Sequence, residues 1–219
     1  ALMRDTRHAQ KLGLASAHTA IDFSDVMERV QRVIAEVAPH DSVERYTDLG
    51  VEVLKGHARI TSPWTVEING QTLTTRNIVI AAGAAPTIPD LPGLDQVVHV
   101  TSDTLWSLRG NPRDIVVLGG GPIACELAQA MSELGIKVTL VGRNKRLLPK
   151  EDEAVGRAVL SALTDSGVRR RTPRRTDAPT VSRVTRKGVG VTGVTSMGID
   201  IGSRNAKAVL LQLKETGYL

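Results

Sequence analysis

The sequence has few cysteines, few aromatic residues and no long apolar run, and each shortage excludes a class of protein. The single cysteine, Cys125, excludes an internal disulfide, a redox-active cysteine pair and a Cys/His zinc cluster within these 219 residues. Aromatic residues make up 2% of the chain, so a base-stacking surface for single-stranded nucleic acid is not expected. No apolar run approaches the ~18 residues that span a bilayer, and no secretory signal is visible. We therefore expect a cytoplasmic protein without a membrane partner.

The positive charge is concentrated at one end of the chain. The net charge of the whole chain is +5. Residues 168–219 by themselves have a larger positive net charge than this, and the rest of the chain is mildly acidic. The run RRRTPRRTDAPTVSRVTRK has no apolar periodicity, so residues 168–196 are predicted to form an extended or disordered basic linker. Charge alone supports only salt-sensitive, nonspecific binding, so a nucleic-acid partner is not expected.

The first third of the chain shows helix, strand and turn patterns. Apolar residues at three- and four-residue steps predict an amphipathic helix over residues 22–38, with Ser24 as its N-cap. The apolar residues of 51–54 suggest a strand. Alternating residues on both sides of Asn69-Gly70 predict a β-hairpin.

The middle of the chain predicts a parallel β-α-β unit. Residues 77–82 (NIVIAA) have the composition of a continuous apolar strand and lead into a Gly/Pro-rich segment. A buried-type strand at 114–118 and another at 137–141 flank a helix with one apolar face, which is the order of a crossover connection. A further helix is expected over 151–165.

The most specific motif is a G-x-G-x-x-A pattern between the strand at 114–118 and the helix after it. Gly119 allows a tight turn, Gly121 lets the backbone approach a pyrophosphate, and Ala124 lets the helix pack closely on the strand. Backbone amides at the helix N-terminus would hold the negative charge. The alternative is a glycine-rich turn without a ligand. The candidate residues of this motif are Gly119, Gly120, Gly121, Pro122, Ile123 and Ala124.

The choice between NAD and NADP depends on the end of the second strand, where an acidic residue would accept the ribose hydroxyls of NAD. That position is Gly142, and Arg143, Lys145 and Arg146 follow it. These cations could neutralise a 2′-phosphate, which favours NADP. NAD, and a loop whose cations are merely solvated, remain open alternatives. We expect Cys125 to be a small helix residue and not a nucleophile.

Three segments resemble the pyridine nucleotide–disulfide oxidoreductases, in particular the mercuric reductase-like and dihydrolipoamide dehydrogenase-like flavoproteins. They are GHAR at 56–59, TTRNIVIAAGAAPTIPDLPGLD at 74–95, and the glycine motif with its flanking residues at 114–159. The resemblance extends over about residues 1–167. It implies an α/β protein with partial FAD-domain elements and an incomplete Rossmann-type β-α-β unit.

The resemblance also implies a domain division and several site residues. The expected parts are a partial FAD-binding domain at 1–110, a partial NAD(P)-binding domain at 111–167, the basic linker, and a C-terminal segment at 197–219. Ala58 would approach the flavin adenine, Ala82 and Gly83 would form a turn near the FAD, Glu126 would lie near the nicotinamide–flavin contact, and Arg143 matches an arginine of mercuric reductases. For Glu126 the alternative is an ordinary exposed helix residue.

The function that the resemblance implies is an FAD- and NADPH-dependent oxidoreductase, whose parent enzyme would be a homodimer. The family's first FAD-binding glycine motif and its C-x-x-x-x-C pair do not occur in the sequence. We therefore expect a fragment that is inactive alone, with no assignable catalytic residue or metal ligand. The alternative is a non-enzymatic binding module or a fusion fragment.

A second resemblance lies near the end of the chain. Residues 197–211, MGIDIGSRNAKAVLL, are similar to the opening strand–turn–strand of the actin-like ATPase superfamily, including activators of acyl-CoA dehydratases. This similarity implies a short β-hairpin in which Asp200 would face a magnesium ion and Ser203 and Lys207 would approach phosphate. A chance hairpin remains the alternative.

Overall fold

The described residues of the computed structural model are 2–15, 19–83, 85–172 and 209–212, and they belong to two compact units. Arg29–Gly83 form one unit, and the described residues before and after that range form the other. The described α-helices are α1 (Leu2–Arg7), α2 (Phe23–Val37), α3 (Val43–Asp48), α4 (Pro122–Glu133) and α5 (Glu153–Asp165). The described strands are β1 (Arg59–Ser62), β2 (Thr65–Ile68), β3 (Gln71–Thr74), β4 (Val98–Thr101), β5 (Asp114–Leu118), β6 (Lys137–Val141), β7 (Arg169–Arg171) and β8 (Val209–Gln212).

The hairpin predicted at Asn69-Gly70 is confirmed. β2 and β3 pair antiparallel with Ile68 opposite Gln71, and β1 pairs with the other edge of β2. Asn69 and Gly70 have φ values of 53° and 78°, the left-handed backbone that a two-residue hairpin turn requires. Asparagine and glycine adopt this backbone more readily than other residues, which is why the turn could be predicted.

Two strands predicted in the Arg29–Gly83 unit are wrong. Neither residues 51–54 nor residues 77–82 form a strand in the described part of the chain. Val79 and Ile80 are instead 87% and 76% exposed. A strand requires hydrogen bonds to a neighbouring backbone, and no described strand runs beside either segment. Apolar composition was therefore not sufficient to produce a strand at these positions.

The amphipathic helix predicted over residues 22–38 is confirmed as α2, but its N-cap was assigned wrongly. The helix begins one residue before Ser24, so the Oδ1 of Asp22 accepts the amide hydrogens of Ser24 and Asp25 at 2.8 and 3.2 Å. Phe23 and Met27 are buried in the core of the larger unit. The apolar residues of the last two turns are only about half covered, since the exposed fractions of Val33, Ile34 and Val37 are 42–53%.

The predicted parallel β-α-β unit is confirmed by β5, α4 and β6. β5 and β6 pair parallel from Asp114 opposite Lys137 to Leu118 opposite Val141. They lie inside a five-stranded sheet of order β4-β8-β5-β6-β7, in which β8 pairs antiparallel with β4 and β5. The small side chains of Ala124 and Ala128 allow α4 to pack closely on one face of the sheet. The core on that face includes Ile115, Val117, Ala124, Ala128, Met131, Val138 and Leu140.

The predicted linker is wrong for its first residues. Arg169–Arg171 form β7, which pairs parallel with β6 at the edge of the sheet. The arginines show no apolar periodicity, but an edge strand is stabilised by backbone hydrogen bonds on one side and tolerates charged side chains. The rest of the linker and most of the ATPase-like segment lie outside the described residues. The division of the chain at residues 110, 167 and 196 stays a prediction.

Candidate dinucleotide-binding site

The glycine-rich loop follows β5 and lies against the end of β6. Gly119 has a φ of 138°, a backbone conformation that residues with a side chain rarely adopt. Its N–H donates to the carbonyl oxygen of Val141 at 2.7 Å. The loop is therefore attached to both strands of the β-α-β unit at their carboxyl ends, where ligands bind in open α/β sheets.

The start of α4 presents backbone amides beyond this loop. Pro122 occupies the first helical position, where its missing N–H is not needed, and Gly121 before it has an extended backbone. The first turn closes where the N–H of Cys125 donates to the carbonyl oxygen of Gly121 at 3.1 Å. The N–H groups of Ile123 and Ala124 precede that bond and have no i→i−4 partner. Free N–H groups of this kind at a helix N-terminus can bind an anion.

The loop after β6, residues 142–148, packs directly on the glycine-rich loop. The N–H of Leu148 donates to the carbonyl oxygen of Gly120 at 2.7 Å. Gly142 is buried, and a Cβ placed there would lie 3.3 Å from the carbonyl oxygen of Gly119. An acidic side chain at position 142 would therefore press on the Gly119 carbonyl. Glycine at position 142 therefore offers no carboxylate of the kind that accepts ribose hydroxyls in Rossmann folds.

Three exposed cations follow Gly142. Arg146 donates to the carbonyl oxygen of Pro149 at 2.6 Å, so its guanidinium is held within its own loop. Arg143 and Lys145 make no side-chain hydrogen bond or ion pair with another described residue. Both charges are therefore open to an anionic ligand.

Glu126 and Cys125 are neighbours in the first turns of α4 but differ in exposure. The carboxylate of Glu126 is on the exposed surface. The pKa of the Cys125 thiol is raised to about 11, mainly by burial and also by the nearby Glu126 carboxylate, while Arg170 lowers it in part. The thiol is protonated at neutral pH, as expected of a packing residue and not of a nucleophile.

The residues predicted to approach FAD lie in the Arg29–Gly83 unit. Ala58, Ala82 and Gly83 are exposed and have irregular backbone. The segment next to Ala58 is attached to the hairpin turn, because the Asn69 amide donates to the carbonyl oxygen of Lys55 at 3.0 Å. A Cβ at Gly56 would overlap this Asn69 side chain. The roles of Ala58, Ala82 and Gly83 toward FAD stay predictions.

The contribution of β7 to the site was missed by the sequence analysis. Arg170 donates from Nη2 to the carbonyl oxygen of Asn144 at 2.9 Å, and the N–H of Gly142 donates to the carbonyl oxygen of Arg171 at 3.1 Å. The missed signal was the order of elements, since a strand and a helix at β6 and α5 are commonly followed by a third parallel strand. The compositional bias of the arginine run obscured it.

The family follows from a comparison with known proteins. A family model described as pyridine nucleotide-disulphide oxidoreductase matches residues 6–217. The chain belongs to this family. The match confirms the resemblance inferred from the residues and extends beyond residue 167. Proteins of the family bind flavin and nicotinamide dinucleotides.

Two relatives show how much of a family member the chain represents. A mercuric reductase from Bacillus cereus is 34% identical over 157 residues, which are 72% of this chain and 25% of the relative. A dihydrolipoyl dehydrogenase from Mycoplasma pneumoniae is 31% identical over 169 residues, or 74% of this chain and 36% of the relative. The chain therefore spans a quarter to about a third of the length of these relatives.

Solved structures confirm the predicted α/β fold. The HOCl-induced flavoprotein disulfide reductase RclA from Escherichia coli matches with a TM-score of 0.55 at 21% identity, over 95% of this chain and 43% of that protein. LpdA from Mycobacterium tuberculosis matches with a TM-score of 0.54 at 25% identity, over 78% and 39% respectively. No helix among residues 2–15, 19–83, 85–172 and 209–212 could cross a bilayer.

Proposed function

We propose that the chain is the nicotinamide-dinucleotide-binding part, with a portion of the FAD-binding wall, of an FAD- and NADPH-dependent oxidoreductase of the mercuric reductase-like class. The main observation behind this proposal is that the N-terminus of α4 directly follows a glycine-rich loop and presents its backbone amides there. The chain also belongs to a family that binds nicotinamide dinucleotides. When bound, the two cofactors supply hydride transfer from the nicotinamide to the flavin, followed by reduction of a disulfide.

The residues around the glycine loop bind and orient the dinucleotide. The N–H groups of Ile123 and Ala124 donate to the pyrophosphate, and the positive end of the α4 dipole stabilises its charge. Ala124 and Ala128 are fully buried, so the helix packs closely on the sheet and brings these amides to the strand ends. Gly121 leaves the approach to the pyrophosphate free of a side chain.

NADP is the nicotinamide cofactor that the loop after β6 favours. A 2′-phosphate carries negative charge, and the exposed side chains of Arg143 and Lys145 stand next to the strand end where the adenosine ribose would lie. Position 142 offers no carboxylate for the ribose hydroxyls of NAD. Both features support discrimination in favour of the phosphorylated cofactor.

The remaining assignments belong to the whole enzyme. Glu126, exposed on α4, would lie near the nicotinamide–flavin contact, and Ala58, Ala82 and Gly83 would lie along the FAD. The exposed apolar side chains of Val79 and Ile80 support the proposal that further elements of the FAD domain cover this segment. A homodimeric parent and a cytoplasmic location complete the proposal.

Substitution of Gly121 by valine tests the proposal. The φ of Gly121 is −87° with an extended ψ, which valine can adopt, so a loss of binding would report the approach of the pyrophosphate and not backbone strain. We expect NADPH affinity, measured by isothermal titration calorimetry on the 219-residue chain, to fall by more than about tenfold. Gly110→Val is the matched control, because a Cβ at Gly110 meets no atom within 4 Å. Unchanged binding in Gly121→Val would contradict the assignment.

A further inference from the structure

We propose that Arg170 is a positioning residue for Arg143, and that the edge strand β7 thereby sets the discrimination between NADP and NAD. This inference rests on the proposed function, since it concerns the same dinucleotide site. It extends that function to a residue that lies 26 positions further along the chain from the loop residue it contacts.

Two hydrogen bonds connect β7 to the backbone of the residues on either side of Arg143. On one side the N–H of Gly142 donates to the carbonyl oxygen of Arg171 at 3.1 Å. On the other side the guanidinium of Arg170 donates to the carbonyl oxygen of Asn144 at 2.9 Å. Arg143 itself has no described side-chain partner, so the direction of its side chain depends on the backbone that these two bonds hold.

The second of these bonds depends on a side chain, which makes it accessible to mutation. β7 pairs with β6 so that Arg170 stands beside Leu140, and neighbours in a parallel ladder point to the same face of the sheet. Leu140 packs in the core with α4, and Arg170 is half-buried next to it. The guanidinium reaches the Asn144 carbonyl oxygen from this half-buried position.

The consequence for binding is preorganisation. A loop that is mobile before binding loses conformational freedom when the ligand orders it, which weakens affinity. Arg170 holds the loop in place before the cofactor arrives, so Arg143 is already directed when a 2′-phosphate enters. NADH has no 2′-phosphate, so its binding does not depend on where Arg143 points.

The test measures the affinity of the 219-residue chain for NADPH and for NADH by isothermal titration calorimetry. Arg170→Met keeps the packed aliphatic portion and removes the donor. We expect it to weaken NADPH binding by about tenfold and to change NADH binding by less than about twofold. Arg170→Lys retains a donor and should recover most of the NADPH affinity. Arg169→Met is the matched control, because it removes the same charge from the opposite face of β7.

A double variant tests whether Arg170 acts through Arg143. If it does, Arg143→Gln/Arg170→Met will bind NADPH no more weakly than Arg143→Gln alone, because coupled residues are not additive. Additive losses would overturn the inference. So would equal weakening of NADPH and NADH in Arg170→Met, which indicates a general structural role. An equal effect of Arg169→Met would also overturn it, because the loss would not be specific to Arg170.

The measurements on the unmodified chain and on the Gly121 variant distinguish a failure of this inference from a failure of the proposed function. Absence of NADPH binding by the unmodified chain overturns the proposed function and this inference with it. NADPH binding that depends on Gly121 but is insensitive to Arg170 overturns only the role of Arg170. Circular dichroism of each variant identifies any loss of affinity that is due to unfolding, and Arg170→Lys then provides the folded variant for comparison.

Discussion

Replacement of Gly156 by alanine should destabilise the chain, although the same change in an isolated helix would stabilise it. Glycine in a helix interior is less favourable than alanine by about 1 kcal/mol. Gly156 is a buried residue of α5, and a Cβ placed there would lie 2.7 Å from the carbonyl oxygen of Leu147. A carbon and a carbonyl oxygen normally approach to about 3.3 Å, so the helix or the loop must move by roughly 0.6 Å.

The net effect follows from two opposing terms. Overpacking of a closely packed contact costs about 1–3 kcal/mol, and the gain in helix propensity offsets about 1 kcal/mol of that. We expect the free energy of unfolding to fall by about 1 kcal/mol. The displaced segment continues to Leu148, whose N–H donates to the carbonyl oxygen of Gly120. Dinucleotide binding should therefore weaken together with stability.

Urea unfolding followed by circular dichroism measures the first effect, and calorimetric titration with NADPH measures the second. Gly110→Ala is the matched control, because its Cβ would enter open space and its φ is not in the left-handed region. This control should leave stability unchanged or raise it slightly. An increase of about 1 kcal/mol in Gly156→Ala would refute the reasoning, because it would show helix propensity acting without the contact.

Two further predictions concern Cys125 and Ser132, two buried residues of α4. Cys125 should react slowly with iodoacetamide at pH 8 in the folded chain and rapidly in urea, because burial raises the pKa of its thiol from 9.0 to about 11. Between these two values only the folded state retains the proton, so the free energy of unfolding should fall as the pH rises; equal labelling rates in both states would contradict this. Ser132→Ala should lower the free energy of unfolding by about 1–3 kcal/mol, because the buried Ser132 hydroxyl donates to the carbonyl oxygen of Ser166 at 2.5 Å. Urea unfolding measures this loss, with the exposed Ser161→Ala as control, and equal stability of the two variants would argue against the role of the hydrogen bond.

Elements governed by local chemistry could be predicted from the sequence. The hairpin turn was predictable because Asn69-Gly70 adopts left-handed backbone at little cost. Residues 114–141 form a strand, a glycine loop, a helix and a second strand, and this order was predictable. The helix shows apolar residues at three- and four-residue steps, whereas the strands are short continuous apolar runs. The glycine loop was also recognisable, because its residues lie close together in the chain and their spacing is enough to define the turn.

Elements that depend on distant partners could not be predicted in the same way. Residues 77–82 have the composition of a buried strand, yet no described strand pairs with them and Val79 is exposed. Arg169–Arg171 have the composition of a linker, yet β6 offers them a backbone to pair with. In both cases the deciding factor is a neighbouring backbone, which composition does not describe.

The candidate site divides along the same line. The sequence by itself determined the glycine loop, the absence of an acid at position 142 and the presence of cations after it. Only the tertiary structure decided that Arg146 is held within its own loop, while Arg143 lies between two hydrogen bonds from β7. The physical reason is that a backbone carbonyl such as that of Asn144 accepts from whichever donor the fold brings to it.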